Sequence, residues 1–409
     1  MTVLDQLPEA SNRNIAIHIK PAAERAVRDG HPWLFENSIR KQSKDGQPGD
    51  IAVIFDKKDR FLAVGLYDPA SPIRAKILHH NSPAKVNRDF YRDKLSIAIN
   101  LRQTILETDT NGYRVVYGEG DSLPGLIIDR YAEVLVMKIY TAAWFPHLRD
   151  IIACINELLP GKTIVLRLGR MAQDSETFGL GDGMVIQGNL TEQAVQFHEN
   201  DLIFQADVIE GHKTGFFFDQ RDNRFRVRQL SAGKRVLDVF SYNGGFSVNA
   251  AAGGAISVTS LDISAPALSD AKENMQLNQS NENVANCQHD TIIADAFEGL
   301  QHLAQSGKTF DMVIVDPPTF ASSQQQVEGA LNAYEKLVRL ALDVLEPGGI
   351  FVMASCSSRV PADDFFALVH NTAIRAGRPL NEIERTQHAI DHPITFAEGA
   401  YLKCLFSSV

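Results

Sequence analysis

Val236-Leu237-Asp238-Val239-Phe240-Ser241-Tyr242-Asn243-Gly244-Gly245-Phe246-Ser247 reads as a buried strand, a glycine-bearing turn and the start of a helix. Glycine lets a backbone approach a ligand closely, and the free amides of a helix start can donate to it. The spacing is not G-x-G-x-x-G, and no G-K-S/T follows, so a dinucleotide or a nucleoside triphosphate is disfavoured. Taken alone, an ordinary strand-to-helix turn would look the same.

The residues downstream decide the matter. Strands are expected at 236–240, 257–262, 312–316 and 350–354, with helices through 249, at 265–278 and at 328–345. Such alternation predicts a doubly wound, Rossmann-like α/β sheet, whose ligands sit outside the carboxyl ends of the strands. Ser260-Leu261-Asp262 is one such end. An acidic residue about twenty positions beyond the glycines can accept the hydroxyls of a ribose. Asp295, in Ala294-Asp295-Ala296-Phe297, precedes another helix and is placed to take an amino group of a base. Each Asp also has an alternative as a helix N-cap.

Two further strand ends carry different chemistry. Met312-Val313-Ile314-Val315 runs into Asp316-Pro317-Pro318-Thr319-Phe320, and Ile350-Phe351-Val352-Met353-Ala354 runs into Ser355-Cys356-Ser357-Ser358. A carboxylate and a thiol at the carboxyl ends of two strands of one sheet could face the same ligand, and that pairing suggests covalent chemistry on a nucleobase. A free cysteine is more often small, buried and inert; the Ser-Cys-Ser context and the partner Asp316 favour the functional reading here. Cys154, on an apolar helix face, and Cys287 and Cys404 have no such context and read as structural.

Upstream, residues 14–80 show short apolar runs broken by turns, with Asp56-Lys57-Lys58-Asp59 as a hairpin turn. This predicts a small all-β domain or barrel. Residues 1–13 read as a frayed terminus. A helix around 86–105, strands at 113–117, 126–129, 134–139 and 163–168, and a helix at 145–159 predict a compact middle α+β domain. The expected domains are therefore 14–82, 86–190 and 195–409.

With 409 residues, a net charge of -10 and four widely spaced cysteines, the chain reads as a multidomain cytoplasmic protein without a zinc site or disulfide framework. No stretch suits a membrane span or a secretory signal. Net acidity argues against bulk electrostatic binding of nucleic acid. Local basic surfaces remain, at Arg221-Asp222-Asn223-Arg224-Phe225-Arg226-Val227-Arg228 and at Arg25, Arg28, Arg40 and Lys41. Arg226 and Arg228 read as a solvated helix face.

Several longer blocks carry a resemblance. They are His31-Pro32-Trp33-Leu34-Phe35, the run from Tyr117-Gly118-Glu119-Gly120-Asp121 to Asp129-Arg130, and Lys213-Thr214-Gly215-Phe216-Phe217-Phe218-Asp219-Gln220-Arg221-Asp222-Asn223-Arg224. Asp316-Pro317-Pro318, Ser355-Cys356-Ser357, Asp391-His392-Pro393 and Glu398-Gly399-Ala400-Tyr401-Leu402-Lys403 complete the set. In this order, from about residue 16 onward, the chain resembles the bacterial large-subunit ribosomal RNA cytosine-5 methyltransferases, class I enzymes dependent on S-adenosylmethionine. His212 stands where that family often has Gln, and Thr319 where Lys is common.

The resemblance implies an N-terminal PUA domain for RNA, a middle α+β domain and a C-terminal methyltransferase domain. It also implies large-subunit ribosomal RNA as partner, a homodimer, no metal, and S-adenosylmethionine held by Gln220, Arg221, Asp238, Phe240, Tyr242, Gly244, Asp262, Ile263, Asp295, Ala296, Asp316 and Pro317.

Carbon 5 of cytosine is a poor nucleophile until a thiolate adds to carbon 6. Cys356 is the expected nucleophile, and Asp316 the group that hydrogen-bonds the N3 and amino edge. A base in folded RNA must first leave its stack. Two alternatives stand beside this reading. One is methylation of an exocyclic amine of guanine or adenine, for which Phe320 would stack on the base; packing under the loop is its other role. The second is a non-catalytic RNA-binding assembly factor. Trp33 is expected in the core of the small β-domain, and His388 and His392 read as structural.

Overall fold

Alternate burial along Asn14–Ile19 (β1) shows how the first sheet is built: Ile15, Ile17 and Ile19 point into a core while their neighbours face out. The computed structural model describes residues 3–11, 13–321 and 323–409. These form two compact units. One extends to Asp201 and adds Ala206–Phe218 and Ile390–Gly399; the other comprises Leu202–Gln205, Asp219–Ala389 and Ala400–Val409.

The first unit begins with a six-stranded sheet. Its strands are β1, β2 (Trp33–Phe35), β3 (Ile39–Gln42), β4 (Ile51–Phe55), β5 (Phe61–Tyr67) and β6 (Ile73–His80), in the order β2-β6-β5-β4-β1-β3. The expected turn at 56–59 joins β4 to β5, with Asp59 at φ 59°. The sheet is not all-β, however. Pro21-Ala22-Ala23-Glu24 opens a helix, α1 (Pro21–Arg28), with proline at its first position, where no backbone N–H is needed. The terminus is not frayed throughout: Val3–Gln6 forms a 3-10 turn, Leu7 is buried and Arg149 Nε donates to Leu4 O at 2.8 Å. Residues 1, 2 and 12 lie outside the described residues.

A second sheet follows, built from β7 (Gly112–Tyr117), β8 (Leu126–Tyr131), β9 (Val134–Ile139), β10 (Thr163–Leu168) and β11 (Met184–Gln187) in the order β11-β10-β9-β8-β7. Helices α2 (Arg88–Leu101), α3 (Leu148–Leu158) and the short α4 (Arg170–Gln173) accompany it. The expected helix at 145–159 is two elements, because Pro146 sits in a 3-10 turn, Ala142–His147, ahead of α3.

Several of the sequence blocks meet in this unit. Trp33 Nε1 donates to Glu119 Oε1 at 2.9 Å, and its ring lies 5.1 Å from that of Phe396. Trp33 is thus partly exposed at a seam rather than in the core of the small sheet. Arg102 forms a bidentate pair with Asp121 and donates to Asp391 O. Asp391 Oδ2 accepts the Arg114 amide, and its Oδ1 pairs with His392, as a structural role requires. Thr214 Oγ1 donates to Asp129 Oδ2 and the Phe216 amide to Tyr131 Oη, so the start of the long Lys-Thr-Gly-Phe block is tied to β8.

Strands β12 (Ala194–Glu199) and β13 (Leu202–Asp207) lead toward the second unit. There the sheet contains β14 (Arg235–Val239), β15 (Ser257–Asp262), β16 (Gln288–Ile293), β17 (Phe310–Val315), β18 (Leu345–Ser355), β19 (Asn381–Thr386) and β20 (Lys403–Ser408). Their order is β16-β15-β14-β17-β18-β20-β19, and only β20 runs against the rest. The helices are α5 (Arg221–Leu230), α6 (Gly245–Ala252), α7 (Ala265–Leu277), α8 (Glu282–Asn286), α9 (Ala296–Gln305), α10 (Val327–Asp343) and α11 (Ala362–Arg375). The strand order reverses between β14 and β17, and in sheets of this kind ligands bind outside the carboxyl ends of the strands at that point. No described helix is long and apolar enough to cross a membrane.

Candidate active site

The loop after β14 lies at this switch point. Phe240, Tyr242 and Gly244 have φ of 64°, 48° and 77°. The left-handed region costs a residue with a side chain roughly 1–2 kcal/mol, so the surroundings must hold this loop in place. They do: the Phe240 and Ser241 amides donate to Leu261 O, and the Tyr242 amide donates to Asp262 Oδ2 at 2.9 Å. Asp262 Oδ1 accepts the Ser264 amide, so this carboxylate links two loops.

Asp238 lies beneath the loop, fully buried, and accepts Ser247 Oγ at 2.7 Å. Burial pushes its carboxyl up to about 7; the charge of Asp262 adds to this and the bonds from Ser247 oppose it. Two buried polar atoms here, Asp238 Oδ1 and Ser241 Oγ, have no partner among the described residues. Each such atom costs about 1–3 kcal/mol. A ligand bearing donors would relieve that cost.

The neighbouring strand ends add an apolar edge. Ile263 is 72 % exposed and Ile293 63 % exposed, and Ile293 is the cross-strand partner of Asp262. Two exposed isoleucines at neighbouring strand ends suit a flat ring. Ile293 was not foreseen, because β16 lacks an apolar run. Asp295 caps α9, its Oδ1 accepting the amides of Phe297 and Glu298, and Ala296 is buried at the first helical position.

On the other side of the switch point, Asp316 follows β17. Burial pushes its carboxyl up to about 7, the nearby Asp219 and Asp238 carboxylates push the same way, and a hydrogen bond from Gln220 and the charge of Arg224 oppose them. Gln220 also accepts Asn223 Nδ2 at 2.6 Å, so its amide is committed to this cluster. Arg221 and Arg224 are both buried at 3 % exposure, whereas Arg226 is partly exposed and pairs with Glu384 at 2.9 Å. Asp219, in the Lys213–Arg224 block, accepts Tyr401 Oη at 2.7 Å.

Cys356 leaves the end of β18, the strand next to β17. Ser355 and Ser357 on either side are fully buried and fasten the turn: Ser355 Oγ meets Tyr334 Oη at 2.8 Å, and Ser357 Oγ accepts the Ala321 amide at 3.2 Å. Cys356 itself is half-buried. Its Sγ is 3.2 Å from Thr319 Oγ1 and donates to Pro317 O at 3.6 Å. Pro317 therefore meets the thiol. Phe320 packs on Tyr334 with ring centroids 5.2 Å apart. His388 accepts the Leu402 amide and lies edge-on to Tyr401, a structural role.

A seven-stranded sheet of this order, with one strand antiparallel to the rest, is that of a class I methyltransferase fold. A family model for S-adenosylmethionine-dependent methyltransferases matches residues 184–407, and one for PUA-like domains matches residues 17–80. The chain is 47 % identical over 405 residues to a ribosomal RNA large subunit methyltransferase of Deinococcus radiodurans, covering 98 % of each chain. It is 35 % identical to ribosomal RNA large subunit methyltransferase I of Serratia proteamaculans, over 95 % of this chain and 98 % of the other. Among solved structures, SMU.776 complexed with SAH superposes with a TM-score of 0.80 at 20 % identity, over 97 % of this chain and 100 % of the other, a likeness of fold. The chain belongs to the family of ribosomal RNA large-subunit methyltransferases. Its cofactor is S-adenosylmethionine, whose ammonium and ribose hydroxyls are donors of the kind that Asp238 Oδ1 and Ser241 Oγ lack.

Proposed function

We propose that this protein methylates carbon 5 of a cytosine in large-subunit ribosomal RNA, with Cys356 as nucleophile and Asp316 as the acid on the base. The names of the relatives support the RNA substrate. The observation that carries the chemistry is the pairing of a half-buried thiol with a carboxyl pushed up to about 7 at the ends of adjacent strands.

S-adenosylmethionine supplies the methyl group. Asp238 and Ser241 would hold its polar end, Asp262 its ribose, and Ile263 with Ile293 one face of its adenine. Cys356, its thiol proton given up to water, bonds through Sγ to carbon 6 of the cytosine while Asp316 gives a proton to N3. The electron pair freed from the ring's double bond makes carbon 5 nucleophilic, and carbon 5 would take the methyl group from the sulfonium, whose carbon–sulfur bond breaks to leave S-adenosylhomocysteine. Water takes the carbon-5 proton, the electron pair of that bond restores the ring double bond and expels the sulfur as thiolate, and N3 returns its proton to Asp316. A carboxyl near 7 suits both directions of that exchange.

The exocyclic-amine alternative needs an aromatic ring free to stack on the base. Phe320 is engaged with Tyr334, and Thr319, directly after the prolines, faces the thiol. Mapping of ribosomal RNA from cells with and without the gene tests the reading. One 5-methylcytidine should vanish, return with the wild-type gene and stay absent with Cys356→Ala; an unchanged map contradicts it.

A further inference from the structure

Lys403 closes the Glu398-Gly399-Ala400-Tyr401-Leu402-Lys403 block. It lies on β20, directly opposite Ser355 in the antiparallel pairing with β18. Its side chain is buried at 3 % exposure for the residue. The ammonium donates to three backbone carbonyls: Ser357, the residue after Cys356; Val360, at 2.7 Å; and Tyr401, at 3.2 Å. All three of its protons are used, so it serves poorly as a proton acceptor.

No carboxylate pairs with this ammonium among the described residues. A buried cation without a counter-charge is costly, and proteins rarely keep one unless an anion answers it. Burial pulls Lys403 down to about 8, and Cys356 is the group whose charge opposes that pull. The other ionisable groups around the thiol either have partners of their own or hold their protons: Asp219 accepts Tyr401 Oη at 2.7 Å. Tyr334 on α10 is pushed up by burial, as is Cys404 on β20. Asp316 after β17 holds its proton up to about 7 and, once ionised, opposes a second negative charge nearby. Arg359, on the same turn as Cys356, is exposed to solvent, where its charge is screened.

We propose that Lys403 is a positioning residue for the Cys356 thiolate: its ammonium clamps the turn that follows the sulfur and supplies the fixed positive charge that the deprotonated sulfur answers. This rests on Cys356 being the nucleophile, and it adds the group that prepares it.

The test is the pH dependence of iodoacetamide labelling at the Cys356 peptide, read by mass spectrometry without RNA. Wild type, Lys403→Gln and Lys403→Arg are compared, with S-adenosylhomocysteine binding by calorimetry as the folding control. In Lys403→Gln the pH of half-maximal labelling should rise by about one, roughly tenfold less thiolate at neutral pH, and Lys403→Arg should regain most of the loss. A Lys403→Gln profile that overlays wild type overturns the proposal. Should Lys403→Gln fail the folding control, wild type decides. Half-maximal labelling below the free-thiol value of about 8.5 supports the role, and a value at or above it overturns the role. Trapping on RNA containing 5-fluorocytidine separates the two claims. An adduct together with an unmoved Lys403→Gln profile removes the role of Lys403 alone, whereas absence of any adduct removes the nucleophile itself.

Discussion

Thr319 Oγ1 lies 3.2 Å from Cys356 Sγ, so the residue after the two prolines touches the thiol across two strand ends. Its hydroxyl can turn to donate to a thiolate, and hydrogen bonds to ionised groups are stronger than neutral ones. Thr319→Val keeps the shape and removes the donor. Its single-turnover methylation rate should fall about tenfold, the equivalent of ~1.4 kcal/mol, while Thr319→Ser stays close to wild type. Equal rates in all three would show that the contact has no part in the chemistry.

Asp316 is held protonated up to about 7, chiefly by burial. If that proton serves N3, the rate at saturating substrates should fall as pH rises through about 7. Asp316→Asn should lose on the order of 10²–10⁴ in kcat and lose that limb of the pH profile. Its affinity for S-adenosylhomocysteine should change by only a few-fold. A variant that methylates at the wild-type rate contradicts the assignment.

Asp238 gives a prediction about stability. Its folded carboxyl titrates at about 7 against an ordinary 3.8, so between these values the folded chain binds more protons than the unfolded one. Stability then falls as pH rises from about 4 to 7, and the loss is complete above 7. A displacement of this size corresponds to roughly 4 kcal/mol for a fully buried group. Asp238→Asn should therefore flatten the change in Tm between pH 5 and pH 8 in the cofactor-free protein. A Tm that rises with pH in wild type would run against this.

Gly244 combines φ of +77° with a tight contact: a Cβ built there falls 2.8 Å from Ala271 Cβ. Gly244→Ala should destabilise the fold by about 1–3 kcal/mol and weaken S-adenosylhomocysteine binding, because the loop that carries Tyr242 must shift. Calorimetry and a thermal melt check both effects; wild-type values in each would mean that the turn tolerates a side chain.

Strands β14, β17 and β18 are legible because strands buried on both faces of a parallel sheet are nearly continuous apolar runs. β16, Gln288-His289-Asp290-Thr291-Ile292-Ile293, sits at the sheet edge with polar residues half-exposed, and so it carries no such run. With it Ile293 went unseen. β20 hides polar groups in buried positions that only their partners explain: Ser407 Oγ donates to Phe351 O, and Lys403 finds its carbonyls. The arginines of α5 posed the same difficulty. A charged run looks solvated until the fold brings Asp316 beside Arg224. The thiol and the strand-end carboxylates were visible because each ends or follows a recognisable strand; the nearness of Asp219 to Asp316 was visible only in three dimensions.

The central claim is that Cys356 bonds to a cytosine. It is tested most directly by incubating the enzyme and S-adenosylmethionine with large-subunit ribosomal RNA transcribed with 5-fluorocytidine. Fluorine at carbon 5 cannot leave as a proton does, so the sulfur cannot be expelled. The expected result is a protein-RNA adduct that survives denaturation, maps to the Cys356 peptide and is absent in Cys356→Ala. Methylation of ordinary RNA by Cys356→Ala at the wild-type rate, with no adduct from the wild-type enzyme, would contradict it.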